Sequence, residues 1–226
     1  AFEPHRHLAR LWSLGKAQRE GEVLEWCQRC EKLRDAMEGD DRPPLSFAVE
    51  YKLDGLTINL TYEGGLLVGA ATRGNGEVGE EILQQARTIR TIPARIPFTG
   101  RMEVQGEGIM RLSALEAYNR TADEPLKNAR NAAAGALRNL DPQVTASRRL
   151  DAFFYQVGYI EGRSFADQAE MIAFLRENRF QVSPYLRYAP TIEQAMKAVH
   201  EIESQRESLD FLIDGAVIKV ASFALR

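Results

Sequence analysis

The sequence predicts an α+β fold in which antiparallel strands pack together and helices lie outside them. Apolar residues alternate with period two over three successive runs, residues 46–51, 56–62 and 66–71, as in strands that bury one face. Glu63-Gly64-Gly65 separates the last two runs and is typical of a tight hairpin turn, which joins antiparallel strands. Longer stretches with helical spacing fill much of the remaining chain.

The composition is that of an ordinary globular chain, with 44% hydrophobic and 27% charged residues. Its 226 residues suffice for one large domain, or for one domain with a small appendage. The formal net charge of -3 means that nucleic-acid contact would require a local basic face. Because no apolar run approaches the roughly 18 residues of a membrane span and no secretory signal is visible, we expect a cytoplasmic protein without a membrane segment.

The two cysteines, Cys27 and Cys30, resemble the spacing of a redox pair. They fall inside residues 22–33, which are predicted to be helical and follow no strand, so we reject a redox role. A zinc site would need two further ligands at suitable spacing, and none is evident. A reducing compartment is therefore expected.

Residues 1–38 are predicted to be mostly helical, since Leu8, Leu11 and Leu14 recur at near-helical spacing and residues 22–33 continue the pattern. Residues 39–44, Gly-Asp-Asp-Arg-Pro-Pro, are predicted to form a polar loop. We therefore divide the chain into a helical lead-in, residues 1–44, packed on the core, and a main domain of residues 45–226.

Further strands are predicted at residues 101–110, 150–158 and 211–220. Helices are predicted to follow four capping side chains: Ser113, Asn128, Ser164 and Thr191.

Lys52 stands at the junction of two predicted strands, in Glu50-Tyr51-Lys52-Leu53-Asp54-Gly55. Partial burial and nearby positive charge lower a lysine's pKa and increase the fraction that is a free amine. A free amine is a nucleophile that forms covalent intermediates. The alternative is a lysine at a strand end that extends its ammonium group to water.

Other charged residues share predicted faces. Glu103 and Glu107 lie four residues apart on one strand and therefore on one face. Arg130 and Arg138 lie near one face of an alanine-rich helix, where they suit a phosphate-rich ligand or are simply solvated. A second strand lysine, Lys219, joins this set. An attacking amine, charge-neutralising cations and a metal-holding carboxylate are the groups that nucleotidyl transfer requires.

With these motifs in order, the sequence resembles the adenylation domain of bacterial NAD-dependent DNA ligases, from about residue 7 to residue 226. The stretches that carry the resemblance are residues 50–60, 71–79, 88–93, 103–107, 128–142 and 213–220. The resemblance implies the nucleotidyltransferase fold, with packed antiparallel sheets, flanking helices and a nucleotide cleft between the sheets.

The resemblance also implies roles at the nucleotide. Lys52 corresponds to the nucleophile that takes AMP from NAD and releases nicotinamide mononucleotide. Glu50 corresponds to the residue that recognises the adenine amino group, and Asp54 to the group that orients Lys52 or accepts a proton. Ser13 and Leu14 resemble the segment that lines the adenosine pocket.

Further matched positions concern the ribose and phosphates. Arg73 corresponds to an arginine near the ribose and phosphate, and Glu107 to a carboxylate that contacts the ribose and helps bind a metal. Asp214 and Lys219 match a motif whose lysine touches the α-phosphate, and Arg206 matches an arginine upstream of it.

The resemblance implies NAD as substrate, Mg2+ as the metal, and nicked double-stranded DNA as partner of a monomeric full-length enzyme. Arg130 and Arg138 match arginines that serve phosphate or nicked-DNA contacts. The N-terminal nicotinamide-binding domain, the last adenylation motif and the C-terminal DNA-binding domains have no counterpart in the chain. We therefore expect this polypeptide alone not to seal nicks and to use NAD poorly.

This sequence departs from the family pattern at Gln105, Ala129 and Ala216, and at Arg10-Leu11-Trp12 before the Ser-Leu pair. Two alternative functions remain open. One is an ATP-dependent nucleotidyltransferase of ligase or capping type, which shares the lysine motif. The other is a non-catalytic nucleotide- or DNA-binding remnant.

Overall fold

A computed structural model describes residues 1–39 and 42–226. The strands of the described residues are β1 (Pro4–Arg6), β2 (Phe47–Leu53), β3 (Leu56–Glu63), β4 (Leu66–Thr72), β5 (Val78–Glu80), β6 (Met102–Ile109), β7 (Asp151–Ile160), β8 (Leu186–Ala189) and β9 (Ile213–Val220). The helices are α1 (Glu20–Asp35), α2 (Leu83–Ala86), α3 (Leu112–Thr121), α4 (Ala129–Leu137), α5 (Pro142–Ser147), α6 (Gln168–Glu177) and α7 (Ile192–Gln205). Short 3-10 helices cover Arg206–Ser208 and Phe223–Leu225.

The strands form two main antiparallel sheets and a small ribbon, which confirms the predicted α+β class. One sheet has the order β4-β3-β6-β7, the other β8-β2-β9, and β1 pairs with β5. At the β3–β4 hairpin, Gly64 and Gly65 have φ of 59° and 79°, as a two-residue hairpin turn of the mirror-image type requires. The expected turn at this position is therefore confirmed.

The chain passes from one sheet to the other at Asp54-Gly55, a link that begins two residues after Lys52. A side chain at Gly55 would place its Cβ 2.1 Å from the carbonyl oxygen of Gly108, so only glycine fits. This close approach fixes the end of β2 against the four-stranded sheet. It explains why glycine stands three residues after the lysine.

Helices cover the outer faces of both sheets and bury two apolar clusters. One cluster joins the four-stranded sheet to α2, α4 and α6 and includes Leu60, Leu137 and Phe154. The other joins the three-stranded sheet to α1 and α7 and includes Phe47 and Ile202. Because the helices occupy the outer faces, the inner faces of the two sheets can line a cleft. None of the described helices has the length and apolar character needed to traverse a bilayer.

The predicted helix at the very N-terminus is wrong. Residues 4–6 form a strand, and no regular helix or strand covers residues 7–19 before α1 begins. Their backbone N–H groups bond to a neighbouring loop instead of to one another: His7 to the Glu77 carbonyl and Leu11 to the Gly76 carbonyl. The loop predicted at residues 39–44 includes Asp40 and Asp41, which lie outside the described residues. The division into a lead-in and a main domain stays a prediction.

Two of the four predicted caps are confirmed. The side chains of Asn128 and Thr191 accept the N–H groups of residues three positions on, at the starts of α4 and α7. Ser113 is not a cap, because its hydroxyl donates to Asp210 and α3 has already begun. Ser164 is not one either, since Asp167 caps α6. The short elements β8 and α5 were not predicted.

Candidate active site

A cleft of about 570 Å3 lies between the two sheets. Its walls come from both sheets and from the N-terminal segment: Ala9, Arg10, Trp12, Leu14, Glu50, Tyr51, Lys52, Leu53, Thr57, Arg73, Gln105, Glu107, Tyr155, Gln156, Gly158, Val217 and Lys219. Strand pairing brings these residues together, because Glu50 lies opposite Val217 and Thr57 lies opposite Glu107. The cleft between sheets is therefore as expected.

Glu50 and Lys219 form an ion pair at one end of the cleft, where the Lys219 ammonium lies 2.5 Å from Glu50 Oε1. The two side chains are only 4% and 14% exposed, so both charges depend on each other for stabilisation. Within the described chain, the second oxygen of Glu50 is buried without a hydrogen-bond partner. The Lys219 ammonium also lies 5.0 Å from the Tyr155 ring centroid. This end of the cleft thus offers an acceptor and a donor beside an aromatic face.

The Lys52 side chain points into the cleft and is 34% exposed, not free in bulk solvent. Its ammonium lies 3.5 Å from Asp214 Oδ2. Asp54, by contrast, forms an ion pair with Arg130, in which Oδ1 lies 3.1 Å from Nε. The carboxylate beside the Lys52 ammonium in this structure is therefore that of Asp214.

Glu107 lies on the wall opposite β2, next to Arg73. Burial raises the pKa of Glu107 to about 7, against the lowering effects of the Thr57 hydroxyl and the Arg73 charge. In the part of the chain that the structure describes, Glu107 Oε1 and Arg73 Nε are buried without partners. Arg73 does donate to the Thr57 hydroxyl at 3.0 Å. An oxygen that can accept and an N–H that can donate, both without partners and both in residues that line one cleft, indicate a polar ligand there.

Comparison with known proteins matches residues 1–226 to the model of the NAD-dependent DNA ligase adenylation domain family. The chain belongs to this family. It is 56% identical over 219 residues to a DNA ligase of Alkaliphilus oremlandii (strain OhILAs), covering 97% of this chain and 32% of that protein. It is 52% identical over 225 residues to a DNA ligase of Alkaliphilus metalliredigens (strain QYMF), covering 100% of this chain and 33% of that protein.

The chain thus spans about a third of the length of the curated DNA ligases it matches. Among solved structures, it is similar to that of mycobacterial DNA ligase D complexed with ATP and MES, with a TM-score of 0.47 and 12% identity. That alignment covers 78% of this chain and 49% of the other.

The structure brings together most of the residues that the ligase resemblance singled out. Glu50, Lys52, Arg73, Glu107 and Lys219 all line the cleft, and Asp214 contacts Lys52.

Four further candidates lie apart from the cleft lining. Ser13 is exposed, although its neighbours Trp12 and Leu14 line the cleft. Arg206 is exposed in a 3-10 helix. Arg130 and Arg138 are both exposed on α4 and at its end, and Arg138 pairs with Glu80 at 3.4 Å.

Sequence reasoning missed Thr57, Tyr155 and Val217, which line the cleft. Thr57 and Tyr155 fall within predicted strands, but an alternating pattern does not say which face meets a ligand. Cross-strand register would be needed, since Thr57 gains its role by lying opposite Glu107.

A buried polar cluster beside the cleft holds the strand β1 on the four-stranded sheet. His5 Nδ1 lies 2.5 Å from Glu81, and His5 Nε2 lies 3.6 Å from Glu103. The nearby carboxylates of Glu103 and Glu81 raise the pKa of His5 from 6.5 to about 9, against the effect of burial. The folded state therefore favours a charged His5.

This shift predicts a pH-dependent stability. Because the folded-state pKa is the higher one, the stabilisation is complete below about pH 6.5 and disappears as pH rises through about 9. The difference in unfolding free energy between the wild type and His5→Gln should reach at most about 3 kcal/mol at pH 6 and shrink by pH 9.5. Urea titrations at both pH values measure it. An equal difference at the two pH values would show that His5 is not a charged partner.

Proposed function

We propose that the chain is the adenylating part of an NAD-dependent DNA ligase, with Lys52 as the nucleophile that accepts AMP from NAD. The observation that carries this proposal is the position of Lys52. Its ammonium projects into a cleft of suitable size, an acidic side chain contacts it, and three polar atoms of the cleft lining have no hydrogen-bond partner among the described residues.

The adenine base fits best at the Glu50–Lys219 end of the cleft. Its exocyclic amino group is a donor and the adjacent ring nitrogen is an acceptor, which complement the free Glu50 oxygen and the Lys219 ammonium. Tyr155 and Val217 line the same region and supply an aromatic face and an aliphatic one. In this geometry Lys219 reads the base edge, rather than the α-phosphate that the resemblance implied.

In the reaction, the Lys52 amine attacks the phosphorus of the AMP moiety, and a nitrogen–phosphorus bond forms. The bond from that phosphorus to the oxygen of nicotinamide mononucleotide breaks, and the mononucleotide leaves with both electrons of the bond. Asp214 is within reach of the proton that Lys52 must lose, at 3.5 Å. Asp54 is the alternative acceptor once Arg130 turns to a phosphate. Arg73 lies where it can neutralise negative charge on the phosphates.

Glu107 is the residue that would hold Mg2+. The described residues contain no group of three or more metal-binding side chains, so a closed protein cage is excluded there. Mg2+ commonly keeps several waters and binds through one or two carboxylates and substrate phosphates, which a single carboxylate with a free oxygen fits. When bound, the ion would neutralise charge on phosphate oxygens.

The pKa of Glu107 predicts the pH dependence of adenylation. Because the carboxyl is protonated below about pH 7, kcat/KM for NAD should fall as pH decreases through this value. In Glu107→Gln, which cannot ionise, kcat/KM should be lower and the decline near pH 7 should be absent. Initial rates from pH 5.5 to 8.5 at fixed Mg2+ measure both. The same inflection in wild type and Glu107→Gln would assign it to another group.

In the complete ligase, AMP would pass from Lys52 to the 5′-phosphate of a DNA nick. The exposed arginines Arg130 and Arg138 would contact DNA phosphates. Cys27 and Cys30 are free, which agrees with the reducing cytoplasmic compartment that we propose for this protein.

Mass spectrometry of the protein as its gene encodes it tests the proposal. With NAD and Mg2+, the mass should rise by one AMP, on the peptide that contains Lys52. Adenylation by ATP but not by NAD would favour the ATP-dependent alternative. No modification by either would favour a non-catalytic module.

A further inference from the structure

We propose that His7 is a positioning residue for NAD binding. Its imidazole fixes both the loop of residues 73–77 between β4 and β5, here called the Arg73 loop, and the segment that forms one wall of the cleft. This inference rests on the proposed function of the cleft. The wall segment is residues 8–14, of which Ala9, Arg10, Trp12 and Leu14 line the cleft.

His7 is buried and contacts the backbone of Arg73, not the cleft itself. Its Nε2 lies 3.0 Å from the Arg73 carbonyl oxygen, which can only accept, so Nε2 must carry a hydrogen. Its Nδ1 lies 2.9 Å from Asn59 Nδ2, which donates to it. One neutral tautomer satisfies both contacts, and the ring is thereby fixed in orientation.

Asn59 connects His7 to Glu103. The second hydrogen of the Asn59 amide is donated to Glu103 Oε1, at 3.0 Å. The same carboxylate accepts the Leu8 N–H at 2.7 Å and the Thr61 hydroxyl at 2.7 Å. Asn59 and Thr61 belong to β3 and Glu103 belongs to β6. The start of the wall segment is therefore hydrogen-bonded to the four-stranded sheet.

The wall segment and the Arg73 loop are also bonded to each other. The His7 N–H donates to the Glu77 carbonyl at 3.0 Å, and the Leu11 N–H donates to the Gly76 carbonyl at 2.9 Å. A Cβ at Gly79 would lie 3.3 Å from His7 Nε2, so the ring packs closely against this loop. His7 thus adds a buried side-chain contact to a junction that the backbone bonds and the exposed Arg10–Glu77 ion pair, at 3.7 Å, hold less firmly.

Arg73 makes this junction relevant to NAD. Its side chain lines the cleft and bonds Thr57, and its backbone carbonyl is the group that His7 holds. Loss of the His7 contact leaves a buried carbonyl without its partner and frees the loop to shift. Substrate binding should therefore suffer more than turnover.

Three substitutions separate the two contacts of His7. His7→Ala removes both. His7→Gln can place an amide N–H near the position of Nε2 and so keep the donor to Arg73. His7→Asn can place an oxygen near Nδ1 and keep only the acceptor for Asn59. His200→Ala is the matched control, since His200 is exposed on α7 and pairs with Glu20.

The measurement is the NAD dependence of Lys52 adenylation in the protein as its gene encodes it. For His7→Ala and His7→Asn, KM for NAD should rise by about 10- to 100-fold while kcat changes by less than about threefold. His7→Gln and His200→Ala should stay within about threefold of wild type in KM. In an Arg73→Ala background, His7→Ala should raise KM by less than it does in the wild type, because the Arg73 side chain that His7 positions is then absent although the carbonyl that His7 contacts remains.

An unchanged KM in folded His7→Ala, or full additivity with Arg73→Ala, would overturn the inference. Melting curves show which variants are folded. If His7→Ala unfolds the chain, the comparison of His7→Gln with His7→Asn tests the inference instead. Titration calorimetry with NAD on Lys52→Ala forms gives the same comparison without the reaction. A wild type that binds NAD but is not adenylated would remove the proposed function, and the calorimetric comparison would still decide the role of His7.

Discussion

Replacing Lys52 by alanine is expected to abolish transfer of AMP from NAD to the protein, with a rate loss of about 10⁴-fold or more. In the proposed reaction, the Lys52 amine forms the new bond to phosphorus, and the described lining residues offer one other ammonium, that of Lys219. That group is paired with Glu50 at 2.5 Å and lies at the end of the cleft that we propose for the adenine base. Lys52→Arg should fail as well, because a guanidinium stays protonated and is a poor nucleophile.

Single-turnover assays with radiolabelled NAD measure this loss. Lys197→Ala, an exposed lysine on α7, is the control and should react like the wild type. The Lys52 variants should retain the wild-type melting temperature within a few degrees, since a partly exposed ion pair contributes little to stability. Appreciable labelling of Lys52→Ala would show that the nucleophile lies elsewhere.

Replacing Glu50 by alanine is expected to have the largest effect on stability. It leaves the Lys219 ammonium, on a side chain that is 14% exposed, without its partner, a change that in buried pairs typically costs about 3–5 kcal/mol. The double substitution Glu50→Gln with Lys219→Met removes both charges and should recover much of that loss. All of these variants should lose affinity for AMP, because they alter the proposed base edge.

Urea denaturation and calorimetric titration with AMP separate the two consequences. Glu80→Ala is the control, because its partner Arg138 is exposed and the pair should contribute less than about 1 kcal/mol. If Glu50→Ala proves as stable as the wild type, the pair is not mutually dependent. If the double variant binds AMP normally, the base lies elsewhere in the cleft.

The sequence was most informative where local patterns and local structure agree. Alternation located the strands around Lys52, the Gly64-Gly65 turn fixed a hairpin, and Asn128 and Thr191 marked helix starts. The resemblance supplied the cleft and six of its 17 lining residues, and the family match confirms that resemblance.

The parts that local patterns could not predict depend on distant partners. Residues 7–14 look helical by spacing, but their backbone N–H groups bond to Gly76, Glu77 and Glu103. The pairing of Lys52 with Asp214, and of Asp54 with Arg130, arises from strand register and side-chain reach across the cleft. No window of sequence contains both members of either pair.

The passage between sheets at Asp54-Gly55 has a consequence for how this chain tolerates change. The covalent link between the two walls is only two residues long, and it begins two residues after Lys52. A Cβ at Gly55 would clash with the Gly108 carbonyl oxygen, so the link has no room for a side chain at this position. An insertion at this link would displace Lys52 relative to the four-stranded sheet. The hairpin at Gly64-Gly65 could accommodate an insertion at the molecular surface. An insertion between β2 and β3 should therefore disturb the structure more than an insertion in the Gly64-Gly65 hairpin.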